Sequence, residues 1–222
     1  MDNKEIKLID MVLQHEGGYS SGQDEFSKED LGGETYRGIS RKFYPSWYGW
    51  NIIDASKPLK YGQIIKNQIL ENNVRQFYDK YFYTPMKIAK IDNLLIAGHV
   101  FCHGVNAGKK ASIKLLQKAI NKTYSVNIAV DGVIGKETLK YTNGEQQNKL
   151  ATELIEQRNQ FYKNIVNNKP SQKKFLNGWL NRVKNTTKVC SSINVFTTSI
   201  LSNDLLSKIL NLILKIVKAL IK

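Results

Sequence analysis

Apolar residues recur at three- and four-residue spacing along most of this chain, and that periodicity limits the folds open to it. The segment 19–40 breaks the pattern: it is polar and rich in glycine, which favours a loop with a short β-hairpin around Gly32 and Gly33. The sequence therefore predicts a mainly α fold with one small β element after the first helix. The predicted helices cover 4–16, 61–82, 93–106, 109–122, 145–166 and 175–183.

Composition narrows the class of protein. The chain has 222 residues, of which 41% are hydrophobic, so it can bury a substantial core and is neither disordered nor of low complexity. Its two cysteines, Cys102 and Cys190, lie far apart in sequence. That spacing argues against a disulfide scaffold and against a zinc cluster, and favours two free thiols.

Positive charge is concentrated after residue 90. The formal net charge is +14; residues 1–90 carry 13 basic and 12 acidic side chains, whereas residues 91–184 carry 15 and 6. A cationic surface of this kind suits a polyanionic partner such as nucleic acid, anionic lipid or bacterial cell wall, and charge alone does not choose among them.

One carboxyl group stands out as a candidate catalytic residue. Glu16 continues the apolar stripe of the first predicted helix, and Gly17 and Gly18 follow it directly. Partial burial and the negative end of the helix dipole both favour the protonated carboxyl, which is the form a general acid needs to protonate a leaving oxygen. Two glycines leave room for a polymer to approach that acid.

The loop after this helix supplies partners for an acid-catalysed hydrolysis. A glycosidase site uses a second carboxylate to stabilise an oxocarbenium-like state or to activate water. Asp30 is the predicted second carboxylate, with Glu34, Asp24 and Glu25 as rivals, and the hydroxyl of Thr35 is predicted to assist by holding water. The aromatic residues Trp47, Tyr48 and Trp50 form either the floor of a sugar cleft or part of an ordinary core.

These residues carry a family resemblance. The segment HEGGYS, followed by DLGGETYRGISRKFYPSWYGW, resembles glycoside hydrolase family 108, the phage-type lysozymes, over about residues 5–90, and residues 93–183 resemble the peptidoglycan-binding region that often follows. The resemblance implies a lysozyme-like fold, cleavage of the MurNAc–GlcNAc bond of peptidoglycan, and Glu16 as the catalytic acid. Together with the aromatic cluster, it leads us to expect substrate contacts from Gly17, Gly18, Tyr19, Gly32, Gly33, Glu34, Tyr36, Trp47 and Asn106.

Two departures from that family pattern are visible. Cys102 stands where the family commonly has Asp, and Tyr36-Arg37 replaces the commoner Asn-Tyr or Asn-Trp after the threonine. The first puts in doubt any supporting role of that Asp, and the second implies a different rim of the cleft.

The sequence predicts three parts: a catalytic region over 1–90, a helical peptidoglycan-binding-like region over 91–184, and a polar linker with an amphipathic basic helix over 185–222. The polar residues of 204–222 form one narrow stripe on an otherwise apolar helix. Such a helix fits either a membrane surface or a partner helix, and its lysines make a membrane span less favoured.

Other functions fit parts of the sequence. A non-catalytic wall-binding or structural phage protein is the main alternative; a nucleic-acid-binding protein is less favoured because the lysines are spread among apolar helix positions. His99 and His103 have a spacing compatible with zinc, but without a third ligand we expect no metal or organic cofactor. The N-terminal segment does not resemble a signal peptide, so we expect synthesis in the cytoplasm and action on the wall after release, or in a phage particle or secretion system.

Overall fold

A computed structural model describes residues 1–23 and 33–193 of the chain. Its helices are α1 (Asn3–Leu13), α2 (Gly49–Ala55), α3 (Gln68–Tyr78), α4 (Leu94–Ala107), α5 (Lys109–Tyr124), α6 (Lys136–Thr142), α7 (Gln147–Asn168) and α8, which covers residues 173–193. One π turn (Asp79–Tyr83) extends α3, and short 3-10 turns cover Ile88–Lys90 and Pro170–Gln172. The predicted fold class, mainly α with a small β element after the first helix, is confirmed.

The β element is an antiparallel sheet of three two-residue strands: β1 (Tyr19–Ser20), β2 (Thr35–Tyr36) and β3 (Ile39–Ser40). Tyr36 pairs with Tyr19 on one side and with Ile39 on the other. The hairpin turn falls at Arg37 and Gly38, a few residues later than predicted. Both of these residues have positive φ, which a tight turn requires.

Helix α4 lies at the centre of the molecule. Nearly every residue from Leu94 to Gly104 is buried, so α4 is covered on all sides and has no solvent-exposed face over this stretch. Helices α5 and α7 pack on it, together with α1 and the turns after α3. Asn93 caps its first turn by accepting from the backbone N–H groups of Leu95 and Ile96.

The segment 61–67 is not helical, although its isoleucines predicted that helix α3 would begin at 61. Gly62 has a φ of +74°, and its backbone N–H donates to the carbonyl of Tyr19 at 2.7 Å. Tyr19 in turn donates to the carbonyl of Gln63. The segment therefore lies against β1, and α3 starts only after Asn67, whose side chain caps Leu70.

Helix α8 extends beyond the predicted helix over 175–183 and continues through residues 185–193. Thr186 and Cys190 are fully buried four residues apart on one face of α8, and the sulfur of Cys190 lies 3.5 Å from that of Met11. A methyl group added to Gly98 of α4 would meet that same sulfur. The first part of the predicted linker is therefore a helix held on the core, and the amphipathic segment 204–222 lies outside the described residues.

Candidate active site

Glu16 follows the end of α1. The last hydrogen bonds of that helix end at Gln14, and the backbone N–H of Glu16 closes a final turn onto the carbonyl of Leu13 at 3.3 Å. Its side chain is 17% exposed. The carboxyl is therefore partly shielded from water while it remains accessible from one side.

An arginine from the far end of the chain holds this carboxyl. The Nη1 atom of Arg182 in α8 donates to Oε1 of Glu16 at 2.9 Å, and Nη2 donates to the backbone carbonyl of His15 at 3.3 Å. Burial acts to lower the pKa of Arg182, but the Glu16 carboxylate outweighs burial and the net shift of that pKa is upward. The ion pair is charge-assisted and fixes the position of one carboxyl oxygen.

The β2–β3 turn lies close to the other carboxyl oxygen. Gly38 has a φ of +74°, and a methyl group placed on it would lie 2.6 Å from Oε2 of Glu16 and 2.8 Å from the hydroxyl of Tyr78. Tyr78, which is buried in α3, donates to the carbonyl of Arg37 at 2.7 Å. Burial, and then the charge of Glu16, raise the pKa of the Tyr78 hydroxyl, which therefore stays protonated and acts as a donor.

Arg37 joins the turn to the end of α1. Its side chain donates to the carbonyl of Leu13 and to Glu71, both at 3.4 Å, and its backbone N–H donates to the carbonyl of Gly18. A cation at a helix C-terminus compensates the free carbonyl groups there. The three elements around Glu16 are thereby tied to one another.

A cleft of about 400 Å³ lies beside the ion pair. It is bounded by the end of α1, the C-terminus of α4 and helix α8. Burial and the charges of Arg182 and Arg158 lower the pKa of His15, so that a neutral imidazole lines one side. The lining residues are His15, Asn106, Lys174, Phe175, Gly178, Trp179, Asn181, Arg182 and Asn185.

Asn106, a predicted substrate contact, lies in this cleft. Its Oδ1 accepts a hydrogen bond from the hydroxyl of Tyr162 at 2.7 Å. The ring of Tyr162 stacks on that of Trp179, with centroids 5.3 Å apart. The cleft that Arg182 lines therefore offers an amide oriented by Tyr162 and an indole stacked on the same ring, which are groups suited to binding a polar ligand.

The glycines after Glu16 have different surroundings. A methyl group on Gly17 would meet no atom within 4 Å, in agreement with open space next to the acid. A methyl group on Gly18 would lie 2.3 Å from the carbonyl oxygen of Gly62. Gly18 therefore allows the close approach of the segment 61–67.

Glu34 is not a free second carboxylate. Its two oxygens pair with Arg41 at 2.8 Å and Lys57 at 2.7 Å, and it accepts from the hydroxyl of Tyr19 at 2.9 Å. Asp54 pairs with the same two cations. Because it is paired on both oxygens, Glu34 holds β1 and β2 to the end of α2.

The remaining predicted residues fall in several places. Thr35 lies in β2 opposite Ser20 and Ser40. Tyr36 is buried, and its hydroxyl accepts from the backbone N–H of Ile65 at 3.1 Å. Gly33 is the first described residue after the gap, whereas Asp30, Gly32 and the rival acids Asp24 and Glu25 lie outside the described residues.

Trp47 lines another cleft. That second cleft is formed by the loop over 43–48 and by α3, and it shares no lining residue with the cleft beside Arg182. Trp50 is buried, and its indole N–H donates to the carbonyl of Tyr44. The aromatic cluster is therefore divided between the core and a separate surface.

His99 and His103 are core residues. His99 Nδ1 lies 2.5 Å from Arg158, and His103 Nδ1 lies 3.2 Å from the hydroxyl of Tyr162. Burial, and then Arg158, lower the pKa of His103 to about 3. Within residues 1–23 and 33–193, no group of three or more histidine, cysteine or acidic side chains is placed to hold a metal ion, and no helix could cross a membrane.

Sequence reasoning missed Arg182 and Tyr78. Tyr78 belongs to the apolar stripe of α3, which signals burial and not contact with a carboxyl group. Arg182 lies 166 residues after Glu16, and nothing in the local sequence distinguishes it from neighbouring cations. Both contacts arise from the packing of α3 and α8 against the end of α1.

Comparisons with known proteins match the chain in two regions. Residues 9–108 match the family model of glycosyl hydrolase 108, and residues 111–184 match a model described as a predicted peptidoglycan domain. Among solved structures, SagA of Brucella abortus is similar to this chain with a TM-score of 0.58 and 19% sequence identity, over 85% of this chain and 94% of SagA. No curated protein matches the chain.

Proposed function

We propose that the chain is a peptidoglycan hydrolase that cleaves the β-1,4 bond from MurNAc to GlcNAc with Glu16 as general acid. Its match to the glycosyl hydrolase 108 model, followed by a match to a predicted peptidoglycan domain, supports this activity. One observation carries the proposal: the partly buried Glu16 carboxyl is held by Arg182, and Arg182 itself lines an open cleft. The peptidoglycan model begins at residue 111, and α8, which supplies Arg182, begins at 173. The second matched region therefore supplies the residue that pairs with the proposed acid.

The reaction requires one proton and one water molecule. Glu16 donates its proton to the oxygen that links the two sugars, and the bond from that oxygen to C1 of MurNAc breaks. Water adds at C1 and gives up one proton to a carboxylate of the site, which balances the proton that Glu16 donated. C1 becomes a new reducing end, and GlcNAc leaves with a free 4-hydroxyl group. Arg182 and the β2–β3 turn keep the carboxyl in one position, so that little reorientation is needed during proton transfer.

The second carboxylate is Asp30 in this proposal. Support comes from Glu34, whose pairs with Arg41 and Lys57 make it a poor rival. Thr35, at the start of β2, is the proposed holder of water. An inverting site separates its carboxyls by about 6.5–9.5 Å and a retaining one by about 5–5.5 Å. The Glu16–Asp30 separation therefore selects the stereochemistry.

The charge of the second region supports substrate attraction. Residues 91–184 carry 15 basic and 6 acidic side chains. Peptide stems and other acidic groups make the wall polyanionic, so this surface favours encounter with the glycan at low ionic strength. Lys174 places one of these cations in the cleft itself.

The test is a comparison of Glu16→Gln with Glu137→Gln on dye-labelled sacculi. Glutamine keeps the shape and a hydrogen bond to Arg182 but carries no proton to donate. We expect Glu16→Gln to release dye at least about 100-fold more slowly than wild type. Glu137 is an exposed acid in α6, and its substitution is expected to leave the rate unchanged. Equal release by wild type and a folded Glu16→Gln protein would refute the assignment.

A further inference from the structure

An aromatic cleft lies on the side of α3 away from Glu16. It encloses about 480 Å³ between α3 and the loop over 43–48. Tyr78 faces Glu16 and the β2–β3 turn, whereas Asn73, Gln76 and Lys80 face this cleft. Helix α3 therefore separates the aromatic cleft from the acid, and the two clefts have no lining residue in common.

Two rings of the aromatic cleft are open to solvent. Phe43 is 65% exposed and Tyr48 is 59% exposed. Trp47 lines the same cleft and is held in place, because its ring meets that of Trp50 edge-on at 5.3 Å and that of Phe77 at 6.3 Å. Exposed aromatic rings in a cleft of ligand size mark a binding surface.

The polar side chains that line the cleft include the amides of Asn73 and Gln76, the cation of Lys80 and the hydroxyl of Ser46. Asn73, Gln76 and Lys80 follow one another at helical spacing along one face of α3 and its π turn. The Nζ atom of Lys80 lies 5.4 Å from the ring of Tyr81, and that of Lys42 lies 5.9 Å from the ring of Phe43. No acidic residue lines this cleft, so it has no group to protonate a glycosidic oxygen.

We propose that the aromatic cleft is a second, non-catalytic binding site for the peptidoglycan glycan. Pyranose faces stack on Phe43 and Tyr48, and the amides of Asn73 and Gln76 bond to sugar hydroxyl and acetamido groups. Lys80 neutralises the carboxylates that peptide-bearing sugars carry. A polymer offers the same sugars repeatedly, so one strand or its neighbour can occupy this cleft while another segment occupies the cleft beside Glu16.

The inference rests on peptidoglycan as the substrate, and it is tested without catalysis. The probe is purified sacculi, sedimented with the full-length Glu16→Gln protein, so that the ligand is not consumed. Adding Phe43→Ala and Tyr48→Ala is expected to weaken binding about tenfold. Adding Val133→Ala, which removes an exposed side chain of the loop before α6, is expected to change nothing.

A second measurement separates this site from the catalytic cleft. In the otherwise wild-type protein, Phe43→Ala with Tyr48→Ala is expected to leave cleavage of short soluble glycan fragments within about twofold. Unchanged sacculus binding overturns the inference, and so does an equal loss of soluble-fragment cleavage, because the cleft would then belong to the catalytic site. If Glu16 proves not to be the acid while the double substitution still weakens binding to sacculi, the second binding site is supported and the proposed catalytic mechanism is refuted.

Discussion

The contact that most defines the site is the bond from Arg182 to Glu16. It joins the first helix to α8 through two side chains that are 16% and 17% exposed. A partly buried ion pair is less screened than a surface pair, and its charge-assisted hydrogen bond has a defined geometry. The position of the proposed acid therefore depends on a residue from the second matched region.

We expect Arg182→Ala to lower kcat about 100-fold with little change in KM, because a misplaced acid affects the transition state and not ground-state binding. Arg182→Lys, which keeps the charge but loses the second donor to His15, is expected to recover part of that loss. Initial rates on soluble glycan fragments measure both. Lys184→Ala, an exposed cation in the same helix, is the control. A loss confined to KM would assign Arg182 to substrate binding instead.

At this scale the sequence identified Glu16 as a candidate acid but did not indicate its ion-pair partner. Glu16 was identifiable because its spacing continues the stripe of α1 and because glycines follow it. Arg182 was not, since ion pairing between distant helices depends on tertiary packing. Glu34 shows the same limit: its position next to Thr35 suggested a site residue, and its partners Arg41 and Lys57 show a structural role.

At the scale of elements, Gly38 allows the β2–β3 turn to lie against the carboxyl of Glu16. Its backbone conformation and the space occupied by Oε2 of Glu16 both exclude a side chain at position 38. Gly62 has the same φ of +74°, but a methyl group there meets nothing within 4 Å. A comparison of alanine substitutions at the two positions therefore separates the effect of backbone strain from the effect of a methyl group next to Glu16.

Gly38→Ala and Gly62→Ala are each expected to lower the free energy of unfolding by about 1 kcal/mol or more, because alanine is strained in the left-handed backbone conformation of both positions. Only Gly38→Ala is expected to lose most of its activity, because the added methyl group displaces the carboxyl. Chemical denaturation and glycan cleavage, measured on the same preparations, distinguish the two effects. Equal activities of the two variants would show that the turn does not position Glu16.

The junction of α4 and α7 makes stability depend on pH. Burial first, and then Arg158, lower the pKa of His103 to about 3, and the same causes hold the pKa of His99 well below its usual value. Both imidazoles are neutral in the folded protein, whereas the unfolded chain binds protons near pH 6.5. Their contribution to stability is therefore complete above about pH 6.5 and is lost as the pH falls from there toward 3.

We expect the unfolding free energy to fall between about pH 7 and pH 5, with about 2 kcal/mol of the loss due to His103. His103→Gln has no such proton to take up, so its loss over the same interval is expected to be smaller by that amount. Urea unfolding at the two pH values measures the difference. An identical loss in both proteins would mean that His103 is not buried as a neutral group.

Elements were predictable where periodicity was long and uninterrupted. The helices predicted over 93–106, 109–122 and 145–166 match α4, α5 and α7 to within a few residues. The segment 61–67 was mispredicted because Ile64 and Ile65 fit a helical stripe, while a glycine with positive φ bonds that segment to β1 instead. The local pattern of apolar residues does not predict a hydrogen bond between segments that are distant in sequence.

At the scale of the molecule, the end of α8 belongs to the body. Thr186 and Cys190 are fully buried, and Thr187 bonds to His99 at 3.0 Å. The buried Arg158 contacts the sulfur of Cys102 at 3.7 Å, where the family pattern would place an Asp. Residues 185–193 thus complete the packing around α4, and a proposed membrane or helix contact falls to the segment 204–222.

A chain ending after residue 193 is expected to keep the stability and the soluble-fragment cleavage of the full chain. A chain ending after residue 184 exposes the face of α4 that Thr186 and Cys190 cover, and its midpoint of thermal unfolding is expected to fall by several degrees. Binding to anionic vesicles, or self-association, is expected only in the full chain. Full vesicle binding and self-association by the chain ending after 193 would remove both proposed roles of 204–222.

The most direct measurement of the central claim is the identity of the new reducing end. Purified sacculi are digested with the wild-type protein and with Glu16→Gln, reduced with borohydride, and analysed by mass spectrometry. Cleavage by the proposed reaction predicts reduced MurNAc in the wild-type digest and almost none with Glu16→Gln. Reduced GlcNAc in the wild-type digest, or reduced MurNAc at equal yield from both proteins, would contradict it.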